Sequence, residues 1–205
     1  MTVGPTLAVN IQPNVDGVVA HLDQVIEDDW VTGLPGRPKV GGPIHAITVS
    51  IGHVAWALGV GRRALDEIHA LATSKRRFQR RTLIDQERFQ LEYGRNLAAM
   101  QAARALVYEV YDEWYALAQK GPVPIEMRAR GRLAACWATE VALKAAQFAM
   151  FSAGSDGVRN RHGYNTLQRV FRDMQTGATH RHIDLEILIE CALVALGVAD
   201  PNLDI

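Results

Sequence analysis

The sequence predicts a mainly α fold: an antiparallel four-helix bundle with a short extra helix and a small N-terminal appendage. Three observations carry this expectation. First, Tyr93, Leu97, Met100, Arg104, Val107, Tyr111, Trp114 and Ala118 recur at alternating steps of four and three, a seam for packing helices at a shallow angle. Second, Ala135, Thr139, Ala142, Ala146 and Ala149 line one side of a later segment with small residues, which permits close helix contact. Third, Gly121-Pro122-Val123-Pro124 and the glycine-bearing stretch Ser152 to Gly157 interrupt the helical pattern where a bundle must reverse direction.

Residues 1–42 differ from the rest. Leu7, Val9 and Ile11 alternate with polar or small residues, a period-two pattern that predicts a strand. Val15 to Ile26 then follows helical spacing, and residues 33–43 are rich in glycine and proline, as a linker is. The expected division is therefore 1–42, appendage and linker, and 43–205, helical bundle. The first bundle helix is expected at about residues 44–72. Its three glycines, Gly52, Gly59 and Gly61, predict close backbone approach to a neighbour, because each costs roughly 1 kcal/mol relative to alanine. Residues 73–81 form a basic connector, Arg-rich enough to hold a phosphate and polar enough to be a plain solvated loop.

The second helix spans about residues 84–119 and carries the seam. Arg104 is the intruder in it. A buried arginine needs a carboxylate to offset its desolvation, so Arg104 is expected to be buried and paired with Glu140 or Asp173. The third helix covers about 124–152. The fourth contains Leu167-Gln168-Arg169-Val170-Phe171-Arg172-Asp173, with Leu167, Val170, Met174 and Gly177 as its apolar stripe. Arg169 and Asp173 are one turn apart, within ion-pair reach. A terminal helix is expected over 184–196, with Asp184 as N-cap and Gly197 at its end.

Composition excludes several classes. Lys plus Arg and Asp plus Glu each total 22, so no basic surplus points to nucleic acid. The two cysteines, Cys136 and Cys191, lie in apolar helical segments without metal-like spacing and read as buried thiols. No signal-peptide pattern is visible, and each apolar run is too short or interrupted to span a bilayer. The expectation is a soluble cytoplasmic protein with no membrane or nucleic-acid partner. Bundle metal sites use paired Glu-x-x-His motifs from facing helices, and none is present, so no metal is expected. P-loop and dinucleotide-binding glycine fingerprints are also missing.

The run LQRVFRD, followed seven residues later by His180 and preceded by Ser152-Ala153-Gly154-Ser155-Asp156-Gly157, resembles the C-terminal helical domain of the acyl-CoA dehydrogenase family. It is most similar to the branch of flavin-dependent monooxygenases, and the likeness covers about residues 43–197. The resemblance implies a flavoprotein oxidoreductase domain, of dehydrogenase or monooxygenase type, which contributes part of a flavin and substrate site in an oligomer. FAD or FMN is the implied cofactor. In the commonest branch a glutamate in a Tyr-Glu-Gly-Thr segment abstracts the substrate proton. This chain has Thr179-His180-Arg181-His182 there, so that glutamate is absent.

His180 is the candidate catalytic residue, since the monooxygenase-like branch places a histidine beside the flavin and imidazole suits acid–base work near neutral pH. A structural helix-capping role is its alternative. The resemblance also implies cofactor contacts from Gly154 and Ser155, in the loop before the LQR helix, and from Arg77 on the flavin phosphates, with Arg76, Arg80 and Arg81 competing for that place. Full members of the family add an N-terminal helical domain and a β domain, for which this chain has no room. A partner chain supplying them is one expected partner; the other is the chain itself, as a dimer or tetramer. The competing reading is a non-catalytic assembly subunit that kept the bundle and binds no flavin.

Overall fold

The structure is a computed structural model that describes residues 48–74, 82–159, 165–180, 183–201 and 203. Ser50–Ile205 forms one compact unit of the chain. The strand, helix and linker expected within 1–42, the boundary after residue 42 and the connector arginines at 76, 77, 80 and 81 lie outside the described residues.

Regular structure among the described residues is helical: α1 (Thr48–Ser74), α2 (Glu87–Ala118), α3 (Ile125–Ala153), a short 3₁₀ turn (Gly154–Gly157), α4 (Thr166–Gly177) and α5 (Leu185–Ala195). Each lies within a few residues of its sequence-based expectation. The hub is α3, which packs against α2, α4 and α5. Its buried surface is mostly alanine, from Ala129 to Ala153, so neighbours approach closely on several sides. One tight approach pairs α3 with α1, where a Cβ added to Gly61 would lie 2.8 Å from Ala142 Cβ. Another pairs α3 with α2, where a Cβ on Gly131 would lie 2.2 Å from Trp114 Cζ3. The Tyr111 hydroxyl also donates to the Gly131 carbonyl at 3.4 Å. At the opposite ends of these two helices Phe89 stacks on Phe148, with ring centroids 5.5 Å apart. The second helix therefore runs antiparallel to the third.

Two expectations require correction. Arg104 is exposed, with its guanidinium 4.4 Å from the Tyr108 ring centroid; Ala103, fully buried, takes the core position. Met100, Val107 and Trp114 keep their expected places in the seam of α2, while Ala103 and Val110 are buried in place of Arg104 and Tyr111. Glu140 pairs instead with Lys144, and Asp173 with Arg169 at 3.5 Å. Among the described residues, Gly61 is the one glycine of the three in α1 that meets a neighbour; a Cβ on Gly52 or Gly59 would find no described residue within 4 Å.

The fourth helix buries Leu167, Val170 and Met174, as its stripe predicts, while Arg169 and Arg172 face outward. Asn165 caps it, accepting from the Gln168 N–H at 3.0 Å and donating to the Asp156 and Arg159 carbonyls at 2.8 Å each. One side chain thus ties the 3₁₀ turn to the start of α4. Asp184 caps α5 by accepting from Ile187 N–H at 3.1 Å, and Gly197 ends it at φ +73°.

Candidate functional site

His180 stands just beyond α4, half-buried, its N–H donating to the Gly177 carbonyl at 3.1 Å. Its ring meets His53 of α1, with centroids 5.2 Å apart and planes inclined by 35°. On the same helix, Trp56 stands one turn further on, its ring 5.3 Å from that of His53. From α3, Thr139 reaches His53 Nε2 with its hydroxyl oxygen at 3.1 Å. Three helices therefore converge on one small polar cluster.

Each member is placed by local packing. The indole of Trp56 occupies the space that a side chain at residue 177 would need, so the glycine before His180 lets α1 and the end of α4 close together. Thr139 is buried among alanines and donates its hydroxyl hydrogen to the Ala135 carbonyl at 2.9 Å. A threonine can make this bond without disturbing the helix much, and its oxygen remains available as an acceptor. Ring-to-ring contacts at these separations lie in the range of favourable offset packing. The cluster can thus orient an imidazole and pass or hold a proton at a ring nitrogen.

The opposite face of α3 lines a groove of about 810 Å³ against α2. Phe89, Phe148, Phe151 and Trp137 supply aromatic surface, and Arg88, Arg95 and Lys144 bring cations, Arg95 being paired with Glu92 at 2.9 Å and Lys144 with Glu140. The groove reaches Phe151 and Ser152 in the last turn of α3, directly before Gly154 and Ser155. Those two are exposed on the 3₁₀ turn. Gly154 takes φ +57° and ψ −133°, which a residue with a Cβ adopts at a penalty. Gly157 closes the turn against Met150, whose sulfur would lie 2.9 Å from an added Cβ.

The structure therefore separates the predicted residues. Gly154 and Ser155 adjoin the groove, whereas His180 joins the Thr139 cluster. Along α3 the two places are about 22 Å apart at 1.5 Å per residue. Arg77 lies outside the described residues. His53, Trp56, Thr139 and Asn165 were not singled out by sequence. The lone hydroxyl in an alanine stripe and an Asn-Thr pair before an apolar run were the available signals for Thr139 and Asn165. Nothing local marks His53.

Burial raises the thiols of Cys136 and Cys191 to about 12 and about 11, and the Tyr111 phenol to about 12. None of these three belongs to the cluster or the groove. Among the described residues, no three His, Cys, Asp or Glu side chains gather to hold a metal, and no helix is long and apolar enough to cross a membrane.

Residues 51–185 match the family model described as acyl-CoA dehydrogenase, C-terminal domain. No curated protein matches the chain. Three solved structures share the fold at low identity. XiaF from Streptomyces sp., in complex with FADH2 and glycerol, is 19% identical with a TM-score of 0.69, over 79% of this chain and 42% of XiaF. The HsaA monooxygenase from M. tuberculosis is 18% identical with a TM-score of 0.66, over 78% and 42%. The 3-HSA hydroxylase from Rhodococcus sp. RHA1 is 20% identical with a TM-score of 0.65, over 78% and 41%. The chain thus spans about two fifths of the length of each.

Proposed function

Because the chain belongs to the acyl-CoA dehydrogenase family, as its C-terminal domain, we propose that it is the helical part of a flavin-dependent oxidoreductase of the monooxygenase type. The observation that carries this reading is the groove between α2 and α3. Its volume falls in the usual range for small-molecule sites, and it joins stacking surface to positive charge. A flavin nucleotide needs both, since its adenine is flat and apolar and its phosphates are anionic. The exposed backbone of Gly154 and Ser155 beside it suits close approach by a phosphate. Four aromatic rings fit FAD better than FMN, because FAD alone brings a second aromatic base.

The groove and the His180 cluster lie on opposite faces of α3, so one chain would serve two flavins: the nucleotide end of one and the reacting end of another. That arrangement requires an oligomer. It also requires a β domain and an N-terminal helical domain to enclose the ring, whether in a partner chain or a longer protein. When bound, the flavin supplies the redox chemistry. His180 supplies a ring nitrogen that takes or returns a proton on the substrate, general acid–base help that is typically worth 10²–10⁴-fold.

The test is a titration of the chain with FAD, FMN and adenosine diphosphate, alone and with chains carrying the missing domains. Alone it should bind FAD weakly, FMN not measurably, and adenosine diphosphate about as well as FAD. Phe148→Ala should abolish what binding there is. In the assembled protein, His180→Ala should lower turnover far more than flavin occupancy. Absence of any preference for FAD over FMN would overturn the groove assignment. Binding of neither nucleotide, alone or assembled, would leave a non-catalytic assembly subunit.

A further inference from the structure

His53 is unexplained by the family match and by the groove. It lies on α1, remote in sequence from Thr139 and His180, yet contacts both. Its hydrogen bond with Thr139 bears on its tautomer. Thr139 has one hydroxyl hydrogen, and that hydrogen is donated to the Ala135 carbonyl at 2.9 Å. Toward His53 the Thr139 oxygen can therefore only accept. With that hydrogen committed, the 3.1 Å contact at Nε2 is a donation by the imidazole, which points to a proton on Nε2.

We propose that His53 is a positioning residue for His180. Thr139 fixes the tautomer and ring plane of His53, Trp56 backs that ring at 5.3 Å, and His53 in turn holds the His180 ring at 5.2 Å. The inference rests on the reading of His180 as the acid–base group. Its reason is geometric: His180 follows the end of a helix, where the orientation of a side chain depends on what packs against it, and the His53 ring does so. A ring held by a buried anchor loses orientational freedom before substrate arrives, and small misplacements of an acid–base group are expensive in rate.

The test uses the full chain labelled with ¹⁵N and ¹³C, with the imidazole resonances as the readout. His53 should give the pattern of a ring protonated at Nε2. Thr139→Val, nearly isosteric, should change the His53 pattern and shift the His180 ring resonances, and Thr139→Ser should restore both. His53→Gln keeps an N–H for Thr139 but removes the ring, so it should shift the His180 resonances even if Thr139→Val fails to fold. A His53 protonated at Nδ1 alone, or His180 resonances unmoved by His53→Gln, overturns the proposal. No flavin is needed, so this result is separate from the turnover of His180→Ala. Full turnover there would remove the acid–base reading while the spectral coupling stood.

Discussion

Trp56 occupies the space that a side chain on Gly177 would need: an added Cβ would lie 2.1 Å from Trp56 Cη2 and 2.3 Å from Cζ3. His53 lies against the indole on one side. Gly177→Ala must therefore move α1 from α4 or turn the indole. Overpacking of this kind costs about 1–3 kcal/mol, more than the roughly 1 kcal/mol that alanine gains in a helix. The denaturation midpoint should fall. Gly59→Ala is the control: with no described residue within 4 Å, it should raise stability by about 0.5–1 kcal/mol. Equal effects of the two substitutions would show that the contact with Trp56 is not tight.

Cys136 and Cys191 should resist thiol reagents at pH 8 in the native protein and react fully in denaturant. Burial raises both pKa values above the ordinary 9, to about 12 and about 11, so little thiolate forms. Linkage gives the sign for stability. An unfolded chain loses these protons near pH 9 while the native chain holds them, so their contribution is intact below pH 9. It is lost as pH rises toward 11 and 12. The Tyr111 phenol, raised by burial from 10 to about 12, acts in the same direction. Unfolding followed from pH 7 to pH 11 should show stability declining from about pH 9; rapid labelling of either thiol at pH 8 would contradict the burial.

Arg104→Met should change stability by about 1 kcal/mol or less, since an exposed cation over an aromatic ring contributes about 0.5–1 kcal/mol. A loss of 3–5 kcal/mol, the size expected on breaking a buried pair, would mean that the side chain turns inward in solution.

Self-association is expected to use α5. Leu185, Ile189 and Leu196 are 76%, 60% and 73% exposed, and Leu193 is exposed beside them. Their spacing of four, four and three residues puts them along one side of the helix. Light scattering should give a mass at least twice 22.6 kDa, and Ile189→Asp should reduce it. A wild-type monomer at micromolar concentration would exclude the oligomer on which the two-flavin arrangement depends.

The sequence by itself determined the helices, their order and their ends. Capping and breaking are local: Asp184 and Gly197 bound α5, and the Gly-Pro break precedes α3, because those residues act on their own backbone. The family was also legible, since LQRVFRD and His180 lie within one short stretch. Tertiary structure decided the phase of α2. The stripes through Arg104 and through Ala103 alternate with the same period and share Met100, Val107 and Trp114; packing buries Ala103 and Val110 and leaves Arg104 exposed. It likewise decided which glycine in α1 is a contact, for only Gly61 faces Ala142. The cluster around His180 belongs wholly to this second class. His53, Thr139 and Gly177 come from three helices, and each looks locally like an ordinary helix residue. What joins them is the close approach that alanine and glycine permit around α3, a property of packed surfaces that no single stretch of chain contains.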